Sequence, residues 1–184
     1  MTGLYRLRRA DRSVKLAVVL FLGALGFAYV FAFLMVKTWA GLTPGRVATT
    51  YARGGTVDAA TLPDVSTAHT ETLDLNAMSE EPHVVDTNLL IQDSHVHILM
   101  YAVVAALETL IVFGLNWRAW WRDAVIAAAF GSGILDFSGQ WLIKAGVPAF
   151  AWLTLASGWA MAAVYLVIVA GVIRELVPHA KEES

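Results

Sequence analysis

The stretch QDSHVHILMYAVVAALE, residues 92–108, places two histidines at the mouth of an apolar segment and a carboxylate inside that segment. Residues 98–115 carry no charge other than Glu108. Three further apolar runs of similar length hold at most one charged residue each: 16–36, 124–143 and 147–173. About 20 apolar residues are needed to cross the hydrocarbon, and lipid offers backbone groups no partner, so each run predicts a helix. The sequence therefore predicts an all-α fold, a four-helix transmembrane bundle.

The composition excludes several classes of protein. The chain is 58% hydrophobic and only 15% charged, with a mean hydropathy of +0.61, which is too apolar for an ordinary soluble domain. It has no cysteine, so disulfides, thiolate metal sites, cysteine-ligated iron–sulfur clusters and CxxCH haem attachment are excluded. Nothing suggests a nucleic-acid partner, and the patterns of hydrolases, phosphate loops and HExxH metal sites are missing from the sequence.

The distribution of charge predicts the topology. Five basic residues precede the first run, which favours a cytoplasmic N-terminus and an uncleaved anchor over a cleaved signal peptide. Residues 41–94 hold two basic and eight acidic residues and are predicted to lie outside, with a short helix around 66–78. The predicted segments are a cytoplasmic N-terminus (1–15), membrane helix 1 (16–40), a periplasmic loop (41–94), helix 2 (95–116), a cytoplasmic loop (117–123), helix 3 (124–144), helix 4 (147–174) and a cytoplasmic tail (175–184). The predicted location is the bacterial inner membrane, with several passes.

Three of the predicted helices carry one polar seam each. These seams consist of His97, Tyr101, Val104 and Glu108; Ser132, Asp136 and Gln140; and Thr154, Ser157, Met161 and Tyr165. Residues three and four apart share a helix face, and polar groups in membrane helices usually face the bundle interior. We therefore expect the seams to converge, with Asp136 about 12 Å below Lys144 and Glu108 about 16 Å below His97.

His95 and His97 are the candidate metal ligands, since imidazole commonly binds haem iron, copper and zinc. Two residues at i and i+2 do not share a helix face, so both could hold one metal only if the helix start, with Ser94 as its cap, were irregular. Tyr101 and Met161 are the other candidate cofactor-binding residues. The alternative is that both histidines are interfacial residues that bond loop carbonyls. His69 and His83, in the outer loop, are weaker candidates for completing such a site.

The buried carboxylates allow two interpretations. Asp136, Glu108 and Gln140 could relay protons through the membrane, or they could bond neighbouring helices without any proton transfer. Lys144 and Lys37 are expected to extend to the outer headgroups.

Several stretches together resemble a group of small four-helix proteins of the bacterial inner membrane that carries no named activity. They are KTWAGLTPGRVATTYARGG after the first run, HVHILM at the start of the second, and LDFSGQWLIKAGVPAF and ASGWAM across the last two. The resemblance implies the four-helix membrane architecture and no particular reaction.

The leading interpretation is a membrane subunit of a bacterial electron-transfer or respiratory complex that holds a b-type haem, or another metal, near the outer face. A quinone site in the polar seam is a second possibility for the same subunit. The alternative is a cofactor-free structural subunit whose outer loop docks a periplasmic partner; a small transporter ranks third. No residue is assigned a catalytic role. The expected partners are the lipid bilayer and other membrane or periplasmic subunits.

Overall fold

The computed structural model describes residues 5–52 and 84–177, and this part of the chain is all-helical. Five α-helices follow in order: α1 (Arg12–Met35), α2 (Pro44–Thr50), α3 (Thr87–Phe113), α4 (Ala119–Lys144) and α5 (Ala151–Leu176). Helix α1 continues into a π-helical turn, Val36–Ala40, and single 3₁₀ turns, Leu7–Arg9 and Pro148–Phe150, precede α1 and α5. The short helix predicted around 66–78, His69 and His83 lie outside the described residues.

Three segments are long and apolar enough to cross a membrane: Arg12–Ala40, Thr87–Phe113 and Pro148–Leu176. They make the chain a multi-pass membrane protein whose apolar helices contact lipid. Helix α4 has the length of a span but is less apolar, because it carries Asp136 and Gln140 together with serines and glycines. It packs against both α3 and α5 and has the longest set of buried residues of any helix in the described part.

Three helices begin earlier than the sequence predicts, and the first of them, α1, starts at Arg12 rather than at residue 16. Helix α3 starts at Thr87, because the side chain of Asp86 caps it by accepting a hydrogen bond of 2.9 Å from the backbone nitrogen of Leu89. The prediction that Ser94 caps this helix is therefore wrong, and His95 lies in regular helix. Helix α4 likewise begins at Ala119 rather than at residue 124, so the predicted loop of residues 117–123 is mostly helical.

Helix α1 is fixed to the rest of the bundle mainly at one end. Leu7 is fully buried, and its backbone nitrogen donates to the carbonyl of Gly114 at 2.8 Å. Further along, the hydroxyl of Tyr165 donates to the carbonyl of Leu22 at 2.9 Å. A core of buried aliphatic residues from α1, α3, α4 and α5 surrounds these contacts: Leu7, Val18, Leu22, Ile111, Val112, Leu115, Val125, Val164, Ile168 and Val172. Beyond Leu22, no residue of α1 is buried.

A smaller core closes the opposite end, which we call the outer end. Helix α2 begins with Pro44 after the cap residue Thr43 and buries Val47 against Ile143 and Ala151. Gly146, at φ +103°, ends the turn after α4, and Pro148 begins the next helical turn, so the connection between α4 and α5 is tight. The short α2 thus forms a lid of protein over α4 and α5.

The contact between α4 and α5 depends on a glycine. A methyl group at Gly139 would overlap Thr154 Oγ1 and lie 3.1 Å from the backbone nitrogen of Thr154 and 3.3 Å from the carbonyl oxygen of Phe150. Two of these three atoms belong to the backbone and cannot rotate away. Small residues of this kind let membrane helices approach closely, which is the main source of their packing energy.

We predict that Gly139→Ala destabilises the protein by about 1–3 kcal/mol, since the two helices must move apart to admit the methyl group. Gly131→Ala, two turns away on α4, is the matched control because nothing lies within 4 Å of its added methyl group. The control should be neutral or slightly stabilising, as alanine favours helix over glycine. Thermal unfolding in detergent measures both, and equal midpoints for the two variants would show that the contact is loose.

Candidate functional site

A cavity of about 340 Å³ lies between α1 and the α3–α4–α5 unit, in the half of the bundle nearer the outer end. Its lining is mostly apolar and comes from every α-helix of the described part. The polar side chains on its wall are those of Tyr29, Tyr51, Tyr101, Asp136, Gln140 and Thr154. An apolar cavity with a few converging polar groups is the usual form of a small-molecule site.

Asp136 and Gln140 form the polar centre of the inner wall. They lie one turn apart on α4, are 9% and 8% exposed, and are joined by a hydrogen bond of 3.0 Å from Gln140 Nε2 to Asp136 Oδ2. This bond fixes the amide so that its carbonyl and its second N–H remain for a ligand. The predicted convergence of Asp136 and Gln140 with Tyr101 is therefore present in the structure.

Three tyrosines surround this pair. Within residues 5–52 and 84–177, the hydroxyls of Tyr29, Tyr51 and Tyr101 form no hydrogen bond. Burial, followed by the charge of Asp136, raises the pKa of Tyr51, which keeps its hydroxyl protonated. The buried Oγ1 of Thr154, on the same wall, also has no partner among the described residues. Unpartnered polar atoms in a buried site indicate a ligand or ordered water.

A second, much smaller void lies next to the cavity. It has a volume of about 10 Å³, and both linings include Tyr29, Tyr101, Val104 and Met161. Glu108, 4% exposed, lies in its wall, and Glu108 Oε1 has no hydrogen-bond partner in the described part of the chain. This volume suits about one water molecule, which could bond that oxygen. Glu108 and Asp136 thus line neighbouring spaces.

The side chains of His95 and His97 lie on different faces of α3. His97 lies on the same face of α3 as Tyr101, and its ring centroid is 6.3 Å from that of Tyr101 and 6.4 Å from that of Phe137. Its Nδ1 is 3.0 Å from the carbonyl oxygen of Asp93, one turn earlier. In regular helix His95 projects about 160° away from His97, so one metal cannot bind both. The described residues contain no group of three or more potential metal ligands.

Part of the cavity wall is apolar and exposed. It includes Phe33 of α1, Val36 of the π-helical turn and Trp159 of α5, and Trp159 is 59% exposed. The rings of Phe33 and Trp159 are in contact, with centroids 6.4 Å apart, and so join α1 to α5 on this side.

A family of transmembrane helical domains, Aq_1264_TM, matches residues 80–183, more than half of the chain. The chain belongs to the Aq_1264_TM family. No curated protein and no solved structure matches it. The Aq_1264_TM match covers α3, α4 and α5 and so includes the inner wall with Asp136 and Gln140. Helices α1 and α2, which form the front wall and the outer lid, precede the matched residues.

Several residues of the site escaped the sequence analysis. Tyr29 and Phe33 lie in an uncharged apolar run that gives no sign of facing a cavity, and Tyr51 lies in a loop whose fold was not predicted. Lys144 was expected to reach the headgroups, but its Nζ donates to the carbonyls of Ala52 and Val85. Those two carbonyls flank the outer segment of residues 53–83 and offer the ammonium group fixed acceptors near the end of α4.

We predict that Lys144→Met destabilises the outer end, because both carbonyls lose a charged donor. Each hydrogen bond to a charged group contributes about 1.5–3 kcal/mol to the free energy of unfolding, which sets the upper limit for each of these two bonds. The expected result is a fall in the thermal unfolding midpoint of several degrees, about 2–4 °C for each kcal/mol lost. Lys37→Met is the matched control, since Lys37 lies on the exposed π-helical turn. If both variants unfold at the same temperature, Lys144 contributes no more than an interfacial charge.

Proposed function

We propose that the chain is an integral membrane subunit of a bacterial electron-transfer complex and that its bilayer-facing cavity binds a quinone. The observation that carries this proposal is the position of the Asp136–Gln140 pair in the wall of a mostly apolar cavity, whose exposed apolar side chains include Trp159. A quinone has an apolar ring and tail with two polar oxygens. The cavity likewise has a mostly apolar lining with a few polar side chains.

The polar groups suit the oxygens of such a ring. The hydroxyls of Tyr101 and Tyr51 and the free N–H of Gln140 are donors for a quinone carbonyl, and Asp136 accepts from a quinol hydroxyl. Oxidation of a quinol releases two protons with its two electrons. Asp136 and then Glu108, on the neighbouring void, are the groups that would receive protons, and the electrons would pass to a redox group of a neighbouring subunit.

In the proposed topology, helix α4 would also span the membrane, which makes four spans in all. Its polar side chains face α3 and α5, while Ile134 and Leu135 are exposed on the side that would face lipid. The basic residues near Leu7 would lie in the cytoplasm, which places the cavity toward the outer face of the inner membrane. The predicted b-type haem stays a prediction; its ligand on this chain would be His97 or His95, not both.

Binding of a short-chain ubiquinone to the detergent-purified chain tests the proposal. Gly158 lines the cavity and has nothing within 4 Å of an added Cβ atom, so Gly158→Leu should begin in open space and extend its side chain into the cavity. We expect it to weaken quinone binding at least about tenfold, the effect of about 1.4 kcal/mol of steric conflict. Titration with the quinone, followed by quenching of tryptophan fluorescence, measures the affinity.

Gly23→Leu is the matched control. Gly23 lies on α1, also has nothing within 4 Å of an added side chain, and does not line the cavity. It should bind the quinone like the unmodified chain. A decyl chain that lacks the quinone ring should not compete. Equal affinities for Gly158→Leu and Gly23→Leu, or full competition by the ringless chain, would mean that the cavity is not a quinone site.

A cofactor-free accessory subunit is the second candidate function, and the anchoring of the outer segment favours it. Lys144 binds the carbonyls at both edges of residues 53–83, and the backbone nitrogen of Val85 donates to the carbonyl of Thr50 at 2.8 Å. The bundle therefore holds both edges of an acidic segment at one place, which suits presentation to a partner subunit.

Replacing residues 56–80 with a short Gly/Ser linker distinguishes this second function. If the chain acts as an accessory subunit, the linker variant should run alone on native gels from membrane extracts, whereas His95→Ala with His97→Ala should still run in the larger complex. Quinone binding should be unchanged in the linker variant. A linker variant that still runs in the complex would exclude docking through this segment.

A further inference from the structure

A second large cleft lies at the end of the bundle opposite the outer lid. Its volume is about 720 Å³, and it is separate from the cavity that the proposed function uses. Four arginines line it: Arg6, Arg8, Arg9 and Arg174. The remaining lining residues are Asn116, Trp117, Gly171, Glu175 and Val177.

The packing of the N-terminal turn holds three of these arginines in place. Leu7 is buried at 0% exposure between them, and its backbone nitrogen bonds the carbonyl of Gly114. The hydroxyl of Tyr5 donates to the carbonyl of Leu110 at 3.1 Å, which fixes the chain on the other side of Arg6. The arginines therefore project from a docked 3₁₀ turn rather than from a free chain end.

The cleft carries an excess of positive charge among the described residues, with four arginines and one carboxylate in its lining. Across the two described stretches, 5–52 and 84–177, none of the four guanidinium groups forms an ion pair. The carboxylate, that of Glu175, accepts a hydrogen bond of 3.0 Å from the backbone nitrogen of Asn116. Four guanidinium groups on one cleft, unpaired within these stretches, favour an anion, and their planar forks match phosphate oxygens.

The position of the cleft favours a lipid over a soluble anion. It lies where α1 begins and α5 ends, at the level where headgroups meet the ends of spanning helices. Val177 lines it, and Ile173, one turn deeper on α5, is 55% exposed to the bilayer. Trp117, a residue type enriched at membrane interfaces, packs on Gly171 in the same wall.

We propose that this cleft binds the phosphate headgroup of an anionic phospholipid, with the acyl chains lying along α5. Basic pockets between membrane helices on the cytoplasmic side bind such headgroups. The four arginines would bind the phosphate oxygens, and the exposed apolar side chains of Ile173 and Val177 would contact the chains. The site is independent of the quinone cavity.

Native mass spectrometry of the full chain in detergent, titrated with phosphatidylglycerol, tests this inference. Phosphatidylcholine is the zwitterionic reference, and it should bind at least about tenfold more weakly. Arg8→Gln with Arg174→Gln should weaken phosphatidylglycerol binding at least about tenfold, from a contribution of about 1 kcal/mol for each arginine near the surface. Arg174→Gln alone, as a second variant, should show about half of this effect on a logarithmic scale.

Arg12→Gln with Arg118→Gln is the matched control, because it removes two charges from the same end of the bundle and neither residue lines the cleft. It should weaken binding less than about threefold. Circular dichroism confirms that all variants keep their helices. Equal losses in the two double variants, equal binding of both lipids, or displacement of phosphatidylglycerol by millimolar inorganic phosphate would each overturn the proposal.

Discussion

The structure depends on the need to keep the polar side chains of one helix away from lipid. Helix α4 carries Ser132, Asp136 and Gln140 along one face, and exposing these polar side chains to hydrocarbon would cost free energy. The helix therefore packs between α3 and α5 and buries all three side chains. Gly139 on the same helix brings the backbone of α5 close enough to enclose them.

Helices α3 and α5 do not enclose the polar face of α4 completely, and the remaining space is the cavity. Helix α1 is fixed near Leu7 and Leu22, while its outer half makes few contacts with the bundle. The lid formed by α2 covers the outer end of the space beside Asp136. The cavity therefore has a polar wall on α4 and a weakly packed helix, α1, in front of it.

The two ends of the bundle use charge differently. At the outer end a single ammonium group, that of Lys144, binds two backbone carbonyls and holds the edges of the acidic segment. At the opposite end four guanidinium groups surround a cleft without pairing with carboxylates in the described part. The ammonium group of Lys144 is therefore bound within the protein, whereas the four guanidinium groups would be available to an external anion. This asymmetry follows from the same excess of basic residues that predicts the topology.

The sequence by itself determined the membrane class, the all-helical fold and the polar seams, because hydropathy and helical periodicity depend only on the order of residues. It also predicted that Tyr101, Asp136 and Gln140 would meet. The start of α3 was wrong by eight residues, since Asp86 caps the helix from within a polar segment without apolar periodicity. Only the tertiary structure decided that His95 and His97 diverge in regular helix, that Tyr29 and Tyr51 complete the cavity, and that Lys144 turns inward. The first fact follows from the Asp86 cap, and the completion of the cavity depends on where α1 and α2 dock. Docking, like the inward turn of Lys144, is set by contacts between residues far apart in the chain, which local periodicity does not encode.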